Sequence, residues 1–455
     1  MPLSAPFLLT FLVTLAALAG VAFARRGQVR SAADFAVAGR SAGSWRVSGA
    51  IMGTLVGGAS TIGTAQMAYL YGLSGWWFTL GAGLACLFLA LTLAGPLRTG
   101  EVETAAGYIA GFYGNRARSA ASLFTSLGMF IHIVAQLLAC GALLASLFDL
   151  PRWLASPAAA LLIALVAVGG GMRTAGAVGL AKMLLLYAAM LGAGWLALRG
   201  VGGWTGLRAG LPETPWFSLF GYGVAEGLSD LLSMLVGVVT TQIYLQAVFS
   251  ARDVRAARSG ALLSALLIPP LGLCGIAVGL NMRLTRPGLD SAQVLPAFIL
   301  EQFSPLWAGA AFAALLFAAV ATAAGLALGV GTTLQADLLP GRPATSDRRL
   351  RRLRLATLGA VLAALLIVIV QLDSLILRWS FLSMGLRGAT LFVPLLGAVF
   401  LGVRAPRRAG ALAIGLGPAA VVAGGLFGWP SWPPLYLGLG VALLVWSRGF
   451  LWERR

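Results

Sequence analysis

Gly53-Thr54-Leu55-Val56-Gly57-Gly58-Ala59-Ser60-Thr61-Ile62-Gly63-Thr64 lies inside an apolar stretch, Val47–Leu70, that is long enough to cross a bilayer. Four glycines and four hydroxyl residues in twelve positions do not suit a uniformly apolar spanning helix. Such a run unwinds easily. Unwinding frees backbone amides and carbonyls at membrane depth, which is tolerated only where they line a cavity or coordinate an ion. A weaker interruption, Gly237 to Gln242 with Thr240 and Thr241, falls in a second apolar stretch, Phe220–Phe249. The two stretches are five helices apart and so enter the membrane in opposite directions, the pattern of an inverted-topology repeat with a site at its interface. Small residues also mark close helix packing, so either stretch alone could be no more than a packing seam.

Composition agrees with a membrane chain. The 455 residues are 59% hydrophobic and only 10% charged, against roughly 45–50% and 25% for soluble domains. Apolar segments recur along the whole length and leave no polar block to fold separately, so a single all-α integral membrane domain is expected. About thirteen stretches reach spanning length. They are Pro6–Phe23, Val47–Leu70, Gly75–Leu97, Ala120–Phe148, Trp153–Gly171, Ala177–Leu198, Phe220–Phe249, Gly260–Leu280, Leu306–Leu334, Leu355–Leu372, Phe381–Leu401, Gly410–Leu426 and the short Leu435–Trp446.

The formal net charge of +18 would suit nucleic acid in a soluble protein, but here the basic residues sit in short loops between apolar runs. No nucleic-acid partner is expected, and the lipid bilayer is. No basic residue precedes the first apolar run, while Arg25 and Arg26 follow it, which predicts a retained helix with its N-terminus outside. Alternation then gathers Arg40, Arg46, Arg98, Arg116, Arg118, Arg173, Arg252, Arg255, Arg258, the cluster from Arg342 to Arg354, Arg404, Arg407, Arg408 and Arg448 on one side. Arg152, Arg199, Arg208, Arg283, Arg286 and Arg378 fall on the other. Positive residues stay cytoplasmic, so the expectation is a multi-pass protein of the cell (inner) membrane with a cytoplasmic C-terminus.

Charged groups inside the spans need a reason. Glu226 and Asp230 share one helical face, as a cation-attracting vestibule or a wetted interfacial pair. Arg387 could hold an anionic substrate or pair with a carboxylate or helix carbonyls, the second being the plainer reading. Lys182, the one lysine of the chain, is expected to snorkel to the cytoplasmic face. His132 and Gln136, four apart, read as a polar contact between helices, with a proton relay as the alternative. Cys86, Cys140 and Cys274 have no metal-type spacing, so neither a zinc site nor a disulfide framework is expected. No nucleophile, phosphate-loop or paired-carboxylate motif appears, and an enzyme is not expected.

Asp34-Phe35-Ala36-Val37-Ala38-Gly39-Arg40 with Trp45, Ser60-Thr61-Ile62-Gly63 through Ala68-Tyr69 and Gly72, and Tyr113-Gly114-Asn115-Arg116 resemble the sodium:solute symporter family in order and spacing. Leu295-Pro296, and Ala318 through Gly325 leading to Asp337, extend the match. The resemblance implies a leucine-transporter-type core of two inverted five-helix repeats, residues 45–199 and 216–402. An extra helix and linker (1–44) would precede it and two C-terminal helices with a short tail (403–455) would follow. It implies solute import coupled to a sodium ion at Gly53, Val56, Ala318, Ala321 and Thr322, with substrate contacts from Ser60, Thr61, Gln66, Thr241 and Gln242. Two departures stand out: the family usually has a second hydroxyl where this chain has Ala321, and often Thr-Asp near Lys182. A proton-coupled or uncoupled carrier, or a membrane solute sensor, are the alternatives.

Overall fold

The computed structural model describes residues 4–24, 40–100, 105–170, 175–334, 346–427 and 432–452. Asp34 to Gly39, Asp337, Arg25, Arg26, Arg173 and Arg342 lie outside the described residues. Every described element is helical apart from one isolated bridge between Ala42 and Ala251.

The helices that build the bundle are α1 (Ala5–Ala24), α2 (Ser44–Leu55), α3 (Thr64–Tyr71), α4 (Trp77–Phe88), α5 (Asn115–Phe148), α6 (Arg152–Gly170), α7 (Ala175–Gly200), α8 (Val224–Val238) and α9 (Gln242–Phe249), with shorter helices such as Ala105–Tyr113 and Val294–Gln302 between them. They continue with α10 (Val254–Thr285), α11 (Pro305–Thr333), α12 (Ser346–Val370), α13 (Ile376–Leu401), α14 (Arg407–Phe427) and α15 (Pro434–Trp452). Each expected span falls on one of these helices or on a broken pair, Gly75–Leu97 continuing beyond α4 through a π turn (Leu89–Leu93) into Ala94–Thr99. By length and hydropathy alone, nine runs among the described residues qualify as spans, ten if α8 and α9 count as one; Ala5–Gly20 and Arg152–Val168 are shorter apolar helices. The count of thirteen therefore stands as a sequence expectation.

The packing falls into two groups of four. Broken helix α2/α3, α4, broken helix α8/α9 and α10 pack on one another, while α5, α6, α11 and α12 form the second group. α7 packs on α2, α10 and α11, and α13 packs on α5, α8 and α14. Without a hydrophobic drive between helices in lipid, close approach depends on small residues at the seams. At the crossing of α8 and α13, a Cβ on Gly237 would stand 2.5 Å from that of Met384, and one on Gly388 2.0 Å from Val236. Leu9, Leu12, Leu161, Leu165 and Leu366 are exposed on the outside of the bundle, where lipid tails suit them.

Arginines expected on the same side do meet. Arg98 donates to the carbonyls of Ala251 and Arg252, beside the bridge in which Ala42 N–H donates to Ser250 O (3.0 Å) and Arg252 N–H to Ala42 O (2.9 Å). At the opposite end Arg152 pairs with Asp290 (3.0 Å) and with Asp373.

Candidate functional site

The break in the first core helix follows from which amides lose their helical partners. α2 ends at Leu55, and Val56 turns extended (φ −86°, ψ 102°). In a continuous helix Gly57 N–H would bond the Gly53 carbonyl and Gly58 N–H that of Thr54. Instead Gly57 N–H donates to Ser60 Oγ (2.9 Å) and Gly58 N–H to Gln136 Oε1 on α5 (3.0 Å). The Gly53 and Thr54 carbonyls are thereby released at the C-terminal, partly negative end of α2. Ser60 Oγ (3.0 Å) and Thr61 Oγ1 (2.9 Å) both donate to Gly57 O, closing the break on itself.

Gly58 is helical (φ −60°, ψ −38°), so unusual backbone angles are not why glycine stands there. Space is the reason. A Cβ on Gly58 would lie 2.5 Å from Ala139 Cβ and 3.1 Å from Ala319 Cβ, and one on Gly57 3.0 Å from Gln136 Oε1 and from Thr322 Oγ1.

The second break runs Val239–Thr241, with Thr241 extended (φ −77°, ψ 122°) and a 44° bend between α8 and α9. Thr241 Oγ1 donates to Gly237 O (2.6 Å) and accepts from Arg387 Nη1 (3.0 Å). Arg387, on α13, is 1% exposed. Its Nε donates to Ser383 O (3.1 Å), and its Nη2 to Ser383 Oγ (2.7 Å) and towards His132 Nδ1 (3.3 Å). Gly128 on α5 makes the room, since a Cβ there would meet Arg387 Cγ at 2.6 Å.

A guanidinium donating to His132 Nδ1 leaves the ring proton on Nε2, and that buried Nε2 has no partner among the described residues. Of the five guanidinium N–H groups, one on Nη1 is left over after these oxygen and nitrogen acceptors. Among the described residues no carboxylate pairs with Arg387. His132 and Gln136 are thus contacts between helices, as the polar-contact reading expected.

Lys182 does not snorkel. It is 2% exposed and reaches inward from α7, its Nζ donating to Gly53 O (2.7 Å), Ala318 O (3.3 Å) and Thr322 Oγ1 (3.2 Å). Distance along a helix gives a lysine's depth and not its direction, and the freed Gly53 carbonyl is a stronger acceptor than the chain alone reveals. Thr322 Oγ1 in turn donates to Ala318 O (2.8 Å), so a lone pair is free for the ammonium. Three of the five positions expected to hold sodium therefore converge on one point, and Lys182 Nζ stands on it. Of the other two, Val56 caps α2 and Ala321 brings no side-chain oxygen.

The five positions expected to contact substrate do not form one cluster. Ser60 and Thr61 bond within the first break, and Thr241 lies at the second under Arg387. Gln66 turns towards the Arg152 end, where its Oε1 accepts Ile376 N–H (2.9 Å) and its Nε2 reaches Ser291 Oγ (3.4 Å). Gln242 Oε1 accepts Ala105 N–H (2.7 Å). Glu226 is exposed, and Asp230 accepts the Tyr222 hydroxyl. A separate cavity of about 300 Å³, lined by Asn281, Arg286 and Glu301 among others, includes none of these groups.

The profile of the sodium:solute symporter family matches residues 35–416. The chain belongs to the sodium:solute symporter family. A symporter of Bacillus subtilis (strain 168), YwcA, described as uncharacterized, is 34% identical over 143 residues, which is 31% of this symporter-family chain and 28% of the relative; the match thus spans under a third of that protein. Among solved structures, a substrate-bound, outward-open Na⁺-coupled sialic acid symporter superposes with a TM-score of 0.75 at 17% identity, covering 98% of both chains. Mhp1, a nucleobase-cation-symport-1 family transporter in a closed conformation with bromovinylhydantoin bound, gives 0.60 at 13% identity over 91% of this chain and 93% of its own. The core is therefore of the leucine-transporter type, in a multi-pass membrane protein.

Proposed function

We propose that this chain is a secondary transporter that imports a small anionic solute, a carboxylate in the simplest case, by alternating access at the two helix breaks. The observation that carries the anion is Arg387. A guanidinium buried at membrane depth is costly unless an opposite charge answers it. Its neighbours Thr241, Ser383 and His132 are all neutral or donating, and among the described residues His132 Nε2 has no partner and one of the two Nη1 N–H groups of Arg387 has none beyond Thr241. A carboxylate accepts several charge-assisted hydrogen bonds through its two oxygens and supplies the missing charge. The paired breaks free backbone groups at membrane depth, and their hinges give the two halves a place to move.

Sodium is the coupling ion that family membership leads one to expect, at Gly53, Ala318 and Thr322. Those oxygens do not fit a sodium ion as they stand. An ammonium already donates to all three, and a second cation among the same oxygens would sit about 3 Å from it, where like charges repel strongly in a medium of low dielectric.

The anion is tested by thermal unfolding of the purified protein with a panel of small carboxylates and their neutral amides. Stabilisation by at least one acid and not by its amide, lost in Arg387→Gln, is expected. Stabilisation by neutral solutes alone, retained in Arg387→Gln, would reject an anionic substrate.

A further inference from the structure

We infer that the Lys182 ammonium is the built-in cation of the site between α2 and α11, and that this chain binds no sodium there. The inference rests on the transporter reading for its relevance to uptake, but its evidence lies in the geometry of one side chain. An alkylammonium has three N–H donors on one nitrogen. Lys182 Nζ finds three acceptors, on two different helices, at 2.7, 3.3 and 3.2 Å.

Each acceptor is presented for a reason. Gly53 O has lost its helical amide because Gly57 N–H turns to Ser60 Oγ. Ala318 O lies on α11 and also takes the Thr322 hydroxyl, which aligns that hydroxyl's lone pair on the nitrogen. The distances are those of hydrogen bonds donated by the ammonium. The amine is fully enclosed, and among the described residues no carboxylate stands beside it, so its charge is answered by carbonyl dipoles and the end of α2.

Chemically, one covalently tethered positive charge does what a bound ion would do here: it joins the broken first core helix to α11. It also ties both to α7. Because the tether cannot diffuse away, the link is independent of the ionic composition of either compartment. The missing hydroxyl at Ala321 agrees with this, since the three N–H donors of the ammonium find three acceptors without it.

The test is equilibrium binding of radioactive ²²Na⁺ to the purified full-length protein, which needs no knowledge of the solute. The wild type is expected to show no saturable sodium component that Thr322→Ala removes. Lys182→Ala exposes the three oxygens and is expected to acquire one, which Thr322→Ala in the same background removes. Saturable ²²Na⁺ binding to the wild type that Thr322→Ala abolishes would overturn the inference. So would a Lys182→Ala protein that elutes as a single folded species and still binds none, because the oxygens would then not be a cation site. If Lys182→Ala does not fold, the wild-type measurement decides alone. A solute panel that fails altogether would count against the transporter reading and leave the sodium result standing.

Discussion

Adding one methyl group at Gly58 separates a packing requirement from a conformational one. The residue has helical angles that alanine adopts freely. The new Cβ would stand 2.5 Å from Ala139 Cβ on α5 and 3.1 Å from Ala319 Cβ on α11, where carbon atoms prefer about 3.5–4.0 Å. The break must therefore back away by about 1 Å from helices that are themselves packed. Overpacking of this kind costs roughly 1–3 kcal/mol. If the retreat also parts Gly58 N–H from Gln136 Oε1, about 0.5–1.5 kcal/mol is added. Together these give roughly 1.5–4.5 kcal/mol, or about tenfold to a thousandfold in any equilibrium that needs the closed break. Gly49 supplies the control, since it lies in α2 with nothing near its Cβ direction. Gly49→Ala should be neutral or stabilising by about 0.5–1 kcal/mol. Thermal unfolding in detergent would then show opposite signs for the two alanines. If Gly58→Ala melts with the wild type or above it, the close approach of the first break to α5 and α11 is wrong.

Gln136→Ala leaves Gly58 N–H buried without a partner, at a cost of roughly 1–3 kcal/mol, and should lower both the melting temperature and solute affinity; Gln136→Glu keeps the acceptor and should recover part of the affinity. Gln66→Ala frees Ile376 N–H at the Arg152 end, so hydrogen exchange of that amide should quicken while that of α11 does not change; equal protection in both proteins would show that Gln66 holds nothing there. Topology is checked by compartment-specific reporters: a C-terminal fusion should be active only in the cytoplasm and an N-terminal one only outside, and a periplasmic C-terminal signal would overturn the alternation of arginines.

The breaks were legible because glycine and hydroxyl residues are costly in a spanning helix unless they have a task, and Gly57, Gly58, Ser60 and Thr61 all find one. Even so, what Gly58 makes room for could not be read, because its neighbours Ala139 and Ala319 lie 81 and 261 positions away in a chain of 455. Long polar side chains were the least legible. Lys182 and Gln66 each have several rotatable bonds, and sequence position places their Cα atoms without saying which carbonyl or amide lies within reach. Arg387 could be placed in its span from the sequence alone, but whether a carboxylate faced it depended on contacts with α5 and the second break that no local pattern encodes.

Solute counterflow in proteoliposomes tests the central claim, that this chain carries a small anion across the membrane rather than merely binding it. Vesicles preloaded with the unlabelled acid that stabilises the protein should accumulate the radiolabelled acid transiently from outside. Arg387→Gln vesicles should accumulate none above protein-free controls. Counterflow that is absent for an acid which nevertheless binds and stabilises the wild type would contradict the account and leave a membrane solute sensor in its place.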